Sequence, residues 1–186
     1  YGDLASTRRN ARLLFTVMDL DPGQMQRIES CFQIPRVVVF AGHMIDSPGR
    51  LQPRFPQRLE KQVQQKIAAL LKRLDAGIGY SCAACGSDIL FLEAMLKRKG
   101  EVNIILPFIM SEFRKTSVDI HPGANWGKRF DQLMKRASRL VIASENRATG
   151  CVVAHEYSNL LKDGLAILRA KMLDTEGRVE RFQKRY

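Results

Sequence analysis

Apolar residues along this chain follow two patterns, helical spacing and short continuous runs. Helical spacing predicts helices over residues 4–18, 24–32, 58–75, 88–98, 110–116, 126–138 and 152–173. Short apolar runs predict strands over residues 36–40, 78–80, 102–106 and 139–144. From residue 36 onwards, strands and helices alternate, which is typical of parallel sheets. The sequence therefore predicts an α/β fold, a Rossmann-like parallel sheet with helices on both faces, plus an N-terminal helical extension.

The domain organisation follows from where the strand pattern begins and ends. We expect a helical extension over 1–35, a ligand-binding domain over 36–175 and a charged tail over 176–186. The total of 186 residues suits one domain with an appended arm. Because the first residue is Tyr1, we interpret the chain as a fragment of a longer protein with neighbouring domains.

Composition narrows the classes of protein to which the chain could belong. Apolar residues make up 45% of the sequence, enough for a sizeable core, but no run reaches about 18 residues, so we expect no membrane span. No signal peptide is recognisable, and four cysteines are too few for a disulfide framework. These features predict a cytoplasmic protein with reduced thiols.

A net charge of +11 favours anionic partners such as nucleotides, nucleic acid or acidic proteins. The basic residues form only small clusters, around Arg8–Arg12, Arg50–Arg58, Lys97–Lys99 and Lys184–Arg185. Such clusters usually lie on solvated faces, and these contain few of the aromatic residues that nucleic-acid grooves use. The pattern therefore favours a small anionic ligand over nucleic acid.

Candidate site residues follow the strands, because ligands of open parallel sheets bind beyond the carboxyl ends of the strands. Five groups of residues occupy such positions, one after each of the four strands and one in the first turns of the last helix. In chain order they are Gly42, His43, Met44 and Asp46; Ser81, Cys82, Gly86, Ser87 and Asp88; Pro107, Phe108 and Glu112; Ser144 and Glu145; and Glu156. We expect these groups to line one crevice.

The loop from Ser81 to Asp88 is the most informative of these segments. Its small side chains would let a ligand approach the backbone, and the following helix N-terminus suits a phosphate. Asp88 would accept hydrogen bonds from sugar hydroxyls. The alternative is purely structural: Ser87 or Asp88 caps the helix and Gly86 allows a tight turn.

Single residues in these loops suggest redox, metal-binding or acid–base chemistry. Cys82 and Cys85 have the CxxC spacing of a redox dithiol, but without a second Cys/His pair they give little support for zinc, and both suit small apolar loop positions. We therefore expect neither a metal nor a cofactor. His43 is a candidate base or phosphate donor, or a structural group. Glu156 is a site candidate, or an acid favoured in a first helical turn.

Three segments together resemble the SLOG superfamily of Rossmann-like domains. They are Val37 to His43, Gly79 to Ser81 with Cys85 to Asp88, and Leu106 to Phe108 followed by Glu112. The superfamily unites DNA-processing protein A, the LOG phosphoribohydrolases and YpsA-like proteins. The sequence is most similar to the branch found beside TRAF-binding-type tetratricopeptide regions of bacterial proteins, over residues 36–173. This resemblance implies binding of a nucleotide or a nucleotide-derived signal.

The sequence departs from the enzymatic LOG branch, whose P-G-G-x-G-T-x-x-E loop is missing. Residues 144–156 echo it only at Thr149, Gly150 and Glu156. We therefore expect a non-catalytic sensor domain of a larger bacterial signalling protein, which is also a homo-oligomer. The alternative is an N-glycosidic bond hydrolase in which Glu156 is catalytic, assisted by Asp46 or His43. Nucleic-acid binding, by analogy with the DNA-processing branch, is a third hypothesis.

Overall fold

The computed structural model describes residues 2–33, 35–47, 49–121, 123–145 and 151–173. The predicted tail over 176–186 lies outside the described residues, as do Thr149 and Gly150. The chain divides into two compact units, one made of Tyr1–Pro35 with Ile167–Tyr186 and the other of Arg36–Ala166.

The first unit begins with two helices, α1 (Gly2–Phe15) and α2 (Pro22–Ser30). The sequence predicts that the second helix starts at residue 24, two residues later than the structure shows. Pro22 belongs to the first turn of α2, where its missing N–H costs nothing. The Asp21 side chain accepts the Gln24 N–H at 2.9 Å and the Gln24 side chain accepts the Asp21 N–H at 3.0 Å. This capping box fixes the start of the helix.

The second unit contains the alternating elements. They are β1 (Arg36–Val39), α3 (Glu60–Leu74), β2 (Ala76–Ser81), α4 (Ser87–Lys97), β3 (Glu101–Leu106), α5 (Met110–Ser117), α6 (Trp126–Arg136), β4 (Arg139–Ile142) and α7 (Cys151–Leu173). A short 3-10 turn at Gln57–Leu59 leads into α3, and α7 continues beyond the unit. The predicted α/β fold is confirmed.

The four strands form one parallel sheet in the order β1-β2-β3-β4. Because the order is sequential, strand order does not reverse anywhere within the described sheet. A reversal is what creates the usual ligand crevice of doubly wound folds. In this sheet, contacts between the loops at the strand ends therefore mark the candidate site.

Both faces of the central strands β2 and β3 are buried, whereas β1 and β4 are partly exposed, with Val39 and Ile142 37% and 43% accessible. On one face, Gly79 leaves room for α4, since a Cβ there would lie 3.0 Å from side-chain atoms of Phe91 and Met95. Phe40 stacks on Phe91 on the same face, with ring centroids 4.7 Å apart. The opposite face includes Ile78, Tyr80, Asn103 and Ile105, all of which are buried. Double burial therefore explains the continuous apolar run of β3, but the apolar runs of β1 and β4 belong to strands that are only partly covered.

β2 begins two residues earlier than the sequence predicts. The preceding helix ends abruptly because Asp75 adopts the left-handed conformation, with φ 49°. Its N–H bonds back to the carbonyls of Leu71 and Lys72. Ala76 is then already extended and belongs to the strand.

Arg129 on α6 connects three helices through one guanidinium group. It pairs with Glu93 of α4 at 2.6 Å and with Glu60 of α3 at 2.7 Å. Its guanidinium also lies 4.2 Å from the ring centroid of Trp126. Only 14% of its side chain is exposed, so this network is shielded from solvent more than an ordinary surface ion pair.

We predict that Arg129→Gln lowers the free energy of unfolding by about 2 kcal/mol, because it leaves two shielded carboxylates without their cation. Arg136→Gln is the matched control, since Arg136 is exposed in the last turn of the same helix. Urea unfolding measures both variants. Equal stability of the two would mean that the network contributes nothing.

Candidate functional site

The carboxyl ends of β1 and β2 are joined by backbone contacts. Residues 41–44, which follow β1, are exposed to solvent and pass over the start of α4. The backbone N–H and the hydroxyl of Ser87 both donate to the His43 carbonyl, at 3.1 and 2.8 Å. The Ile45 N–H donates to the Cys85 carbonyl at 3.1 Å, next to a bridge between Met44 and Gly86. The two predicted ligand loops therefore form one continuous surface.

Gly42 and Gly86 allow this close approach. A Cβ on Gly42 would collide with the Ser87 side chain. Gly86 has φ +107°, and a Cβ there would lie 2.6 Å from the Ile45 nitrogen. Loop packing alone thus explains both glycines. The expectation that they let a ligand approach the backbone stays a prediction.

Asp88 lies in the first turn of α4, buried at the junction of the two loops. Its Oδ1 accepts the Gly42 N–H at 3.1 Å. Burial raises the pKa of Asp88 to about 6, although the positive charge of Lys162 and the hydrogen bond from Gly42 oppose the shift. The group that we predicted as a sugar acceptor thus connects the loop after β1 to α4.

Lys162, which is not among the residues predicted from the sequence, is buried on α7. Its Nζ donates to the Asn159 side chain at 3.0 Å, to the Phe40 carbonyl at 3.4 Å and to the Cys82 sulfur at 3.8 Å. Ala154, Ser158 and Ala166 are buried at four-residue spacing on the same helix face. In the sequence, the position of this lysine within a row of small residues at four-residue spacing could have indicated that Lys162 is buried.

Cys82 and Cys85 are buried free thiols. Burial raises the pKa of Cys82, and it raises the pKa of Cys85 to about 11. A redox dithiol needs the opposite shift, towards a stable thiolate. Within the described part of the chain, no three His, Cys, Asp or Glu side chains are grouped so that they could hold a metal ion.

Asp46 closes the loop that follows β1. Its carboxylate accepts the N–H groups of Arg54 at 2.9 Å and Phe55 at 2.8 Å, and pairs with Arg50 at 3.5 Å. The Asp46 N–H donates to the Phe55 carbonyl at 2.9 Å, and Phe55 is buried in the core. Asp46, one of the predicted site residues, thus joins the chain directly after β1 to Arg54 and Phe55.

The candidates beyond β3 lie in different surroundings. Pro107 and Phe108 are buried, and Phe108 packs edge-on against Phe113 and His155. Glu112 pairs with Lys115 at 2.8 Å. The structure therefore supplies a packing or ion-pair explanation for each of these three positions.

The candidates beyond β4 and at the start of α7 lie nearer to solvent. Ser144 is half-buried, and Glu145 and Glu156 are exposed. Within the described residues, no hydrogen bond or ion pair joins Glu156 to Asp88 or to Lys162. Among the predicted residues, the observed contacts thus join those after β1 with those after β2, and Lys162 completes this group.

A search of protein-family models, curated proteins and solved structures finds no significant match to this chain. None of the helices in the described residues combines the length and apolar character needed to cross a membrane.

We predict that Gly86→Ala destabilises the protein by about 3 kcal/mol, because alanine is strained at this φ and its Cβ meets backbone atoms. Gly49→Ala is the matched control. Gly49 also has positive φ (+78°), but a Cβ there meets nothing within 4 Å, so we expect a loss of about 1 kcal/mol. Similar losses in denaturant unfolding would show that the loops are not tightly joined.

Asp88 also predicts a pH dependence of stability. Its folded pKa of about 6 exceeds its usual 3.8, so the folded state binds more protons than the unfolded state between these values. The wild type should therefore lose stability relative to Asp88→Asn as the pH rises from about 4 to above 6. Denaturant unfolding across this range measures the difference, and a gain of stability relative to the variant would contradict the raised pKa.

Proposed function

We propose that the unit Arg36–Ala166 binds a nucleotide or a nucleotide derivative at the carboxyl ends of β1 and β2. In this proposal it is the sensor domain of a larger bacterial signalling protein of the SLOG superfamily, from the branch associated with tetratricopeptide regions. The parallel sheet supports ligand binding at the carboxyl ends of its strands. The resemblance of the strand-end motifs to the SLOG superfamily supports a nucleotide as the ligand. A cytoplasmic location and homo-oligomerisation stay predictions.

One observation carries the proposal: a buried, hydrogen-bonded polar cluster lies directly beneath an exposed strand-end backbone. Gly42, His43 and Met44 face solvent, while Asp88 and Lys162 lie below them. Buried charges are rare unless they are paired, and perturbed ionisable groups concentrate at functional sites. The fixed loops would need little ordering when a ligand binds, which favours affinity.

The position of Glu156 favours binding over hydrolysis. A carboxylate that stabilises a sugar cation works best in a site that excludes water. Glu156 is instead exposed on α7, and the groups buried at the strand ends are engaged with one another. The missing glycine-rich loop of the enzymatic branch supports the same conclusion. We therefore propose a sensor that holds its ligand unchanged.

The proposal predicts that a nucleotide raises the melting temperature, and that Met44→Trp removes this effect by covering the strand ends. A ligand that binds only the native state stabilises it by mass action. Leu70→Trp is the matched control, because Met44 and Leu70 are each 39% exposed and Leu70 lies in the middle of α3. We expect binding to weaken at least about tenfold in the first variant only.

Thermal shift and titration calorimetry with ribonucleotides, cyclic nucleotides and ADP-ribose derivatives provide the measurement. Absence of any shift would overturn the proposal, as would equal binding by both tryptophan variants. Analysis of the same samples for free base tests the sensor assignment. Base release by the wild type that is lost in Glu156→Gln would replace the sensor with a hydrolase.

A further inference from the structure

Arg54, which follows β1 and is joined to Asp46, carries a charge that no contact within the described residues uses. The backbone of Arg54 is held by Asp46, but its side chain is exposed. Within the described residues, the Arg54 guanidinium has no hydrogen-bond or ion-pair partner. Arg50 differs, since its guanidinium donates to the Gln52 carbonyl at 3.1 Å and pairs with Asp46.

Hydrogen bonds connect Arg54 to the strand ends through only a few residues. Asp46 accepts the Arg54 N–H, and its neighbour Ile45 donates to the Cys85 carbonyl. Met44, the next residue towards β1, forms the bridge to Gly86. The loop therefore places the Arg54 backbone beside the surface on which we propose that the nucleotide lies.

The negative charge of Asp46 is already compensated by groups of the protein itself. Two backbone N–H groups and the Arg50 guanidinium surround its carboxylate, and only 7% of its side chain is exposed. Asp46 is thus a poor competitor for Arg54, whose charge is available to an external anion. A guanidinium binds phosphate through two parallel hydrogen bonds, which makes arginine well suited to phosphate recognition.

We propose that Arg54 binds a phosphate group of the nucleotide held at the ends of β1 and β2, so that the ligand is a phosphorylated nucleoside and not a free nucleoside or base. This inference rests on the proposed function and specifies its ligand class. The loop is already closed by Asp46 and anchored by buried Phe55, so binding of phosphate orders only the arginine side chain.

The test compares ribonucleosides with their 5′-monophosphates and 5′-diphosphates by titration calorimetry, with inorganic pyrophosphate as a competitor. The wild type should bind the phosphorylated forms at least about tenfold more tightly, as expected for a charged, bidentate contact. Arg54→Ala should reduce this preference to about one. Arg54→Lys should restore it only in part, because an ammonium group lacks the planar fork.

Arg73→Ala is the matched control. Arg73 is an exposed arginine in the last turn of α3, next to the amino end of β2, and we expect this variant to keep the full preference. A full preference in Arg54→Ala, or an equal loss in Arg73→Ala, would overturn the assignment of Arg54.

The outcomes separate this inference from the proposed function. Equal binding of nucleosides and nucleotides by the wild type would refute the phosphate site while the nucleotide site stands. Failure of every nucleoside and nucleotide to bind would refute both. Thermal unfolding of each variant identifies any loss of binding that is caused by misfolding.

Discussion

Burial of the Asp88 carboxyl group is the constraint on which the geometry of the strand ends depends. A buried carboxylate is costly unless hydrogen bonds and a cation compensate it. The compensation comes from the Gly42 amide and the positive charge of Lys162. These groups lie in the loop after β1 and on α7, which are remote from each other in the sequence. One carboxyl group on α4 thus interacts with both of these segments.

The same junction explains the residues around it. Gly42 must lack a side chain because Ser87 lies against it, and Ser87 must donate twice to hold the His43 carbonyl. Asp46, further along the chain after β1, is likewise a carboxylate that binds the backbone, because it accepts the N–H groups of Arg54 and Phe55. The result is a fixed surface of exposed backbone above a polar interior. Binding there would require little rearrangement, in keeping with a domain that recognises a ligand without transforming it.

The sequence was sufficient to predict the elements, because their signals are local. The apolar run at 36–40 and the helical spacing over 58–75 correspond to β1 and α3, and the parallel sheet follows from their alternation. The errors at element ends are also local in origin. Pro22 proved compatible with a first helical turn, and Asp75 adopted a conformation usually associated with glycine.

The candidate site was only partly predictable. Its strand-end positions follow from topology, so Gly42 and Asp88 could be selected. Their mutual hydrogen bond joins residues 46 positions apart, which no spacing rule reveals. Lys162 escaped notice because a lysine on a long helix usually faces solvent, and its burial depends on tertiary packing.

Backbone amide NMR during titration with a ribonucleoside diphosphate tests most directly whether the ends of β1 and β2 form the binding site, because it reports where the ligand lies without a substitution. We expect the largest chemical-shift changes on residues 41–45 and 86–88, at the carboxyl ends of β1 and β2. Changes concentrated at the amino ends of β2 and β3, around Asp75 and Gly100, or no changes at all, would contradict this location of the site.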